Sequence, residues 1–288
     1  MTITVNLSQR IERAIKRESK KVLISLDSRY RVLTSSMRLM PSFIIIGAMK
    51  SGTTSLYKYL TEHPRIGHNF TKEVHFFDYG FHNGVDWYKT FFPLCQPDLI
   101  AGEASPDYFY YPHAPRRVFE LIPSVKLIVV LRNPVDRALS HYNHILQRRE
   151  VPEPLSFEDA INIEGERLNG EMEKMLENES YYSHNYLYYS YLTRGIYIDQ
   201  LKNWLRFFPR EQILVLKSED LFTNPQAFYD LVLEFLGLPR WQLKEYKNAN
   251  KRIYSKMNSA TRSDLINYFK PHNQRLYRCL DINFDWDK

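Results

Sequence analysis

The 288-residue sequence has only two cysteines, no long apolar run and no block of a single charge. Cys95 and Cys279 are too few for a disulfide framework or a cysteine-based metal cluster, so a reducing cytoplasm is the simplest setting. No segment approaches the about 20 apolar residues of a membrane-spanning helix. The N-terminal residues also lack the basic-then-apolar order of a secretory signal. These absences predict a soluble, cytoplasmic protein without a transmembrane segment.

The net charge is +6, but the basic residues are scattered and form no stripe that could follow a nucleic-acid backbone. We therefore expect no nucleic-acid partner. A hydrophobic content of 44% is sufficient for a core and argues against global disorder. The basic amphipathic pattern from Ile11 to Leu26 predicts a helix, so residues 1–40 are interpreted as an N-terminal helical extension and residues 41–288 as the main domain.

Short apolar runs, typical of buried parallel strands, alternate along the chain with segments of helical periodicity. The predicted strands are Ser42–Ile46, Leu99–Glu103, Lys126–Leu131 and Gln212–Leu216. The predicted helices are Thr53–Glu62, Pro115–Leu121, Pro134–Arg148, Gly195–Phe208, Pro225–Leu236 and Ser259–Leu280. Residues 152–193 are expected to form a turn, a Glu/Asn-rich helix and a tyrosine cluster. This order predicts a single α/β domain with a central parallel sheet flanked by helices.

A glycine-bounded loop follows the first predicted strand and leads into the helix predicted from Thr53. Small residues let backbone N–H groups converge, and a helix N-terminus adds partial positive charge, which together favour a bound phosphate. Lys50 precedes Gly52, whereas the lysine of a nucleoside-triphosphate loop directly follows the second glycine. The predicted anion-binding residues are Lys50, Ser51, Gly52, Thr53, Thr54 and Ser55.

A second polar segment begins where the strand Lys126–Leu131 is predicted to end. Arg132 lies at this carboxyl end, where open α/β sheets bind their ligands. Pro134 is suited to the first turn of a helix. Ser140 lies about two helical turns further on and is expected on the helix face that is turned toward Arg132. An arginine fork and a hydroxyl together suit a terminal phosphate monoester.

These segments together resemble the sulfotransferases that use 3′-phosphoadenylyl sulfate (PAPS). The loop around Lys50 resembles their 5′-phosphosulfate loop, and the Arg132 segment resembles their 3′-phosphate site. The stretch Thr71-Lys-Glu-Val-His-Phe-Phe-Asp78 is similar to the heparan sulfate glucosaminyl 3-O-sulfotransferases, and His82 to Pro93 also to the heparan N-sulfotransferases. The resemblance implies a P-loop-like fold shared with nucleoside kinases, PAPS as donor and adenosine 3′,5′-bisphosphate (PAP) as product, without a metal.

The resemblance also implies roles for individual residues. Lys50 would stabilise the leaving group, and Glu73 would be the general base with His75 orienting it or sharing that role. Asp78 would hold the histidine or the acceptor. A late basic loop carries Lys251 and Arg252, which resemble the residues that wrap the 3′-phosphate.

The acceptor is less well defined by the sequence: its reacting group is expected to be a hydroxyl, with an amine as the alternative. Ala104 stands where those enzymes commonly have a lysine that helps bind the saccharide, which favours a small metabolite slightly over a saccharide. Asp78, Glu103 and Tyr186 are the predicted acceptor contacts. The sequence leaves open whether the protein forms a homodimer. The alternative functions are a small-molecule or nucleotide kinase and a non-catalytic protein that binds phosphorylated ligands.

Overall fold

Four parallel strands form the centre of the computed structural model, which describes residues 27–246 and 257–287. The strands are β1 (Pro41–Gly47), β2 (Ala101–Ala104), β3 (Lys126–Leu131) and β4 (Ile213–Lys217), in the spatial order β2-β1-β3-β4. The strand predictions are confirmed, with some ends shifted by one or two residues. The predicted helix Ile11–Leu26 and the loop carrying Lys251 and Arg252 lie outside the described residues. The boundary at residue 41 stays a prediction.

Both faces of the sheet are buried, which explains why its strands are continuously apolar. On β3, Leu127 and Val129 face a cluster that includes Trp204, whereas Ile128 and Val130 face the opposite cluster. The alternation follows from the two-residue period of a strand. Helices therefore cover the sheet on both sides, as the sequence predicted.

The helices of the described residues agree with the sequence where the periodic segments are long. Pro225–Leu236 and Ser259–Leu280 have the predicted bounds. Further α-helices in the described part of the chain are Thr53–Thr61, Gly84–Lys89, Ala114–Leu121, Pro134–Ile145, Phe157–Asn162, Glu164–Leu168, Glu171–Glu177, His184–Tyr188, Tyr197–Leu205 and Ser218–Thr223. None of the helices in these ranges is long and apolar enough to cross a membrane.

Residues 152–193 differ from the single helix that the sequence predicted, because four short helices follow one another there. Ser156 Oγ accepts a hydrogen bond from Asp159 N and caps the first. Gly170, with φ of 72°, separates the second from the third. Ser183 Oγ caps the fourth by accepting from Tyr186 N. Local capping therefore divides a segment whose composition suggested one helix.

The strand order has a consequence for where a ligand can bind. From β1 the sheet continues to β2 on one side and to β3 and β4 on the other. Open α/β sheets bind ligands at the carboxyl ends of the strands where the connections diverge in this way. Here that point lies beyond Gly47 and Leu131, where both predicted phosphate-binding segments begin.

Candidate active site

The loop after β1 has the geometry of an anion-binding turn. Gly52 adopts a left-handed conformation with φ of 92°, and a Cβ there would lie 2.8 Å from Leu221 Cδ2. Ala48 N donates to Val130 O over 2.8 Å, which ties the loop to β3. The helix Thr53–Thr61 starts immediately afterwards, and its first amide groups have no acceptor within the helix. A glycine is therefore required at position 52 to aim the helix N-terminus.

A cavity of about 540 Å³ opens beside this loop. Its wall brings together predicted residues from three separate segments of the chain: the loop after β1, the segment around Glu73 and the segment after β3. These residues are Lys50, Gly52, Thr53, Thr54, Ser55, Glu73, His75, Arg132 and Ser140. The fold thus places the predicted anion-binding groups and the predicted base around one space.

The segment after β3 is fixed by a helix cap. Asn133 Oδ1 accepts a hydrogen bond from Val135 N over 3.0 Å, and Pro134 occupies the first turn of the helix. Arg132 Nη1 donates to the carbonyl oxygen of Lys50 over 3.2 Å, which links the two segments that the sequence predicts to bind phosphate. Ser140 lies on the following helix and faces the same cavity.

Glu73 and His75 form an ion pair that a second carboxylate extends. His75 Nε2 lies 3.2 Å from Glu73 Oε2, and His75 Nδ1 lies 2.8 Å from Asp78 Oδ2. Asp78 is buried and also accepts from Tyr79 N over 2.7 Å. The Tyr79 ring stacks on His75 with centroids 4.7 Å apart. Asp78 and Tyr79 thus fix the imidazole on the side away from Glu73.

The surroundings of Glu73 keep its carboxylate ionised. Burial alone would raise its pKa, but the His75 hydrogen bond and the Lys72 charge outweigh burial and hold the pKa of Glu73 at about 2. Lys72 Nζ donates to Glu73 Oε1 over 3.0 Å and to Thr54 Oγ1 over 3.2 Å. Lys72 therefore joins the predicted base to the helix Thr53–Thr61.

His75 has the opposite shift. Burial would lower its pKa, but the hydrogen bonds with Asp78 and Glu73 raise the pKa of His75 to about 10. At neutral pH the imidazole is therefore protonated and cannot accept a proton. The geometry supports an orienting role for His75 and leaves Glu73 as the group that can accept one.

The prediction that Glu103 contacts the acceptor is corrected by the structure. The Glu103 side chain is buried and accepts hydrogen bonds from Tyr88 Oη and, over 2.8 Å, from Ser105 Oγ. Ser105 Oγ in turn accepts from Val74 N over 3.1 Å and His75 N over 3.2 Å. Burial raises the pKa of Glu103 to about 7. Through Ser105, Glu103 therefore fixes the backbone of the segment that carries Glu73 and His75.

The remaining predicted residues lie in different places. The Ser51 side chain is fully buried and does not line the cavity, so its predicted place among the donor-binding residues stays a prediction. Its amide donates to Ala48 O over 3.2 Å. Ala104 is buried on the apolar face of β2. Lys251 and Arg252 fall outside the described residues, so their role stays a prediction.

A second cavity, of about 520 Å³, adjoins the first. Both are lined by Tyr79, Asp107 and Leu187. Asp78 and Tyr186, predicted as acceptor contacts, lie on the wall of the second cavity. The arrangement therefore offers a polar chamber and an aromatic chamber that meet next to His75.

Two residues of the site, Lys72 and Asp107, could not be identified from the sequence. Lys72 lies beside Glu73 in the stretch Thr71–Asp78, but the direction of its side chain cannot be deduced from that adjacency. No sequence motif marked Asp107 as a site residue. Here it lines both cavities and pairs with Arg194.

Glu73, His75 and Asp107 are the described residues whose ligand atoms converge enough to hold a metal ion, all within 4.8 Å. Each of the three already has a protein partner of opposite charge. Glu73 pairs with Lys72 and His75, and Asp107 pairs with Arg194. A divalent cation would have to displace these internal partners, so the donor set does not suit one well.

Comparisons with known proteins agree with this geometry. A family model described as the sulfotransferase domain matches residues 40–280. The chain is 30% identical to the membrane-associated sulfotransferase kil1 of Dictyostelium discoideum, over 98% of this chain and 72% of that protein. It is 29% identical to human heparan sulfate glucosamine 3-O-sulfotransferase 5, over 86% of this chain and 74% of that enzyme. The crystal structure of a sulfotransferase from Alicyclobacillus acidocaldarius superposes with a TM-score of 0.71 at 30% identity, covering 86% of this chain and 99% of that one.

Proposed function

This chain belongs to the sulfotransferase family, and on that premise we propose that it transfers the sulfuryl group of PAPS to a hydroxyl of a small molecule or saccharide. The observation that carries the proposal is the single cavity that Lys50, Arg132, Ser140 and Glu73 line together. It offers cationic groups for two phosphates and, beside them, an ionised carboxylate. PAP would be the nucleotide product.

The donor would be held at both ends. The first amide groups of the helix Thr53–Thr61 and the hydroxyls of Thr53 and Thr54 would receive the 5′-phosphosulfate. Arg132 and Ser140 would receive the 3′-phosphate, because a guanidinium and a hydroxyl match the oxygens of a phosphate monoester. The hydrogen bond from Arg132 to the Lys50 carbonyl oxygen fixes the positions of these two regions relative to each other.

The chemical step needs little covalent participation by the protein. The acceptor oxygen would attack sulfur in line, and the bond from sulfur to the bridging oxygen of PAPS would break. Negative charge then builds on that bridging oxygen, where Lys50 would stabilise it. Glu73 would accept the proton of the acceptor hydroxyl, and His75 would hold the carboxylate in position.

This proposal includes no metal ion. Charge that develops in the transfer would be balanced by Lys50, the 3′-phosphate would be balanced by Arg132, and the Glu73 cluster is neutralised by the contacts of Lys72 and His75. In magnesium-dependent phosphoryl transfer the cation bridges phosphate oxygens instead. Dependence on a chelatable ion would therefore contradict the assignment.

Titration calorimetry tests the donor site. We expect PAP to bind, and Arg132→Ala to weaken it by about 10- to 100-fold, the loss associated with charged hydrogen bonds. Arg275→Ala is the matched control, because Arg275 forms a surface pair with Asp199 and lines neither cavity. Tighter binding of ATP with magnesium than of PAP, or an equal loss in both variants, would overturn the proposal.

A further inference from the structure

The aromatic second cavity adjoins the site of chemistry. Tyr79 lines it and stacks on His75, while Asp107 and Leu187 also belong to both chambers. A molecule seated there can thus present one hydroxyl toward Glu73. The volume, about 520 Å³, falls within the range of small-molecule pockets. This position makes the second cavity the candidate acceptor site, provided that the proposed function holds.

The walls of the second cavity present more aromatic ring surface than polar groups that lack a hydrogen-bond partner. Four tyrosines on the wall have their hydroxyls engaged by protein atoms. The bonds are Tyr110 Oη with Thr193 Oγ1 (2.8 Å), Tyr181 Oη with Glu171 Oε2 (3.0 Å), Tyr182 Oη with Tyr188 Oη (3.1 Å) and Tyr186 Oη with Tyr110 O (3.0 Å). Tyr110 and Tyr186 also stack on each other with centroids 4.2 Å apart, so this pair contributes mainly ring edges, whereas Tyr182 contributes a half-exposed ring. A saccharide, with hydroxyls around its ring, would leave several of them without partners, which is costly in a buried site.

The charges on the wall disfavour an anionic acceptor. Among the described residues, two arginines and no lysine line the second cavity. These are Arg117 and Arg194, and both are nearly fully buried. Arg117 Nη2 lies 3.1 Å from Glu179 Oε2, and Arg194 pairs with Asp107. A sulfate or carboxylate on the acceptor would thus compete with carboxylates that already hold these cations.

We propose that the second cavity binds an uncharged, flat ring compound that carries a hydroxyl, such as a phenol-type acceptor, and discriminates against sulfated or carboxylated saccharides. The tyrosine rings would stack on the acceptor, and aromatic stacking favours a planar molecule. The carboxylates of Asp107 and Glu179 would repel an anionic one. This inference deepens the proposed sulfuryl transfer by naming its acceptor class.

Two probes of matched shape separate charge from ring size: 2-naphthol, which is neutral at pH 7, and 6-hydroxy-2-naphthoate, which is anionic. Binding to the PAP-saturated protein is measured by ligand-observed NMR, and sulfation with PAPS by mass spectrometry. We expect at least about tenfold tighter binding of 2-naphthol, since one unfavourable charge contact suffices for that ratio. We also expect 2-naphthol to gain one sulfate.

Two variants locate the effect. Tyr182→Ala removes a half-exposed ring and should weaken 2-naphthol binding about five- to tenfold while leaving PAP affinity unchanged. Tyr268→Ala, which removes a similarly exposed ring that lines neither cavity, should change neither. Glu179→Gln removes the carboxylate that holds Arg117 and should improve binding of the naphthoate alone.

The acceptor class would be overturned if the naphthoate or a heparosan oligosaccharide bound as tightly as 2-naphthol, or if 2-naphthol failed to bind the PAP complex. Sulfation of the oligosaccharide with normal PAP affinity would overturn the acceptor class and leave sulfuryl transfer standing. Failure of PAP to bind would instead overturn the proposed function, and the acceptor inference with it.

Discussion

Replacing Glu73 by glutamine tests the assignment of the general base. The amide keeps the size of the side chain but cannot accept the acceptor proton. Since general-base catalysis typically contributes about 10²- to 10⁴-fold, kcat should fall by that factor in Glu73→Gln. PAP affinity should stay nearly unchanged, because Glu73 is not proposed to bind the donor. Glu62→Gln, an exposed glutamate at the end of the helix after the loop, is the control.

The wild-type pH profile supplies the second half of this test. The pKa of Glu73 is lowered to about 2, so the base stays ionised throughout the mildly acidic range. The pKa of His75 is raised to about 10, so its stabilising charge is kept below that pH and lost as pH rises through it. We therefore expect kcat/KM for the acceptor, at saturating PAPS, to vary little between about pH 4.5 and 8.5.

Two results would refute this reasoning. An acidic limb with a midpoint near the ordinary histidine value of about 6.5 would mean that neutral His75, not Glu73, accepts the proton. Retention of most of kcat in Glu73→Gln would mean that no base at this position is needed. The pH profile is measured at saturating PAPS with the 2-naphthol concentration varied around its KM, and kcat of Glu73→Gln is measured with both substrates saturating.

Three further changes follow from the same geometry. Lys50→Ala should lower kcat by about 10²-fold or more while PAP affinity, measured by calorimetry, changes much less; unchanged turnover would remove its role on the leaving group. Ser105→Ala removes the hydroxyl that accepts from Val74 N and His75 N, so kcat should fall about tenfold with little change in the KM for PAPS, and an effect on KM alone would contradict a positioning role. Dialysis against EDTA should leave the rate unchanged within error, and a loss restored by added magnesium would contradict the metal-free assignment.

The sheet and the glycine-bounded loop after β1 were predictable because their signals are local. The strand Lys126–Leu131 is a continuous apolar run, since both of its faces are buried. The helix after the loop begins at Thr53, as predicted from the spacing of apolar residues. The meeting of Arg132 with the loop also followed from the rule that ligands bind at the carboxyl ends of parallel strands.

The hydrogen-bond network around Glu73 and His75 could not be predicted, because it depends on residues that are distant in the sequence. Glu103 was assigned to the acceptor, yet its carboxylate bonds to Tyr88 and Ser105 beneath the base segment. A sequence shows that a carboxylate is present but not which side of a loop it faces. Similarly, the tyrosine cluster was predicted, but its ring faces form a chamber only with Tyr79 and Tyr110.

The position of bound nucleotide is the most direct test of the proposed donor site. A crystal structure of the protein grown with PAP should show the 5′-phosphate at the first amides of the helix from Thr53. The 3′-phosphate should lie within hydrogen-bond distance of Arg132 and Ser140. PAP bound at another site, or a cavity that stays empty at saturating PAP, would contradict the central claim.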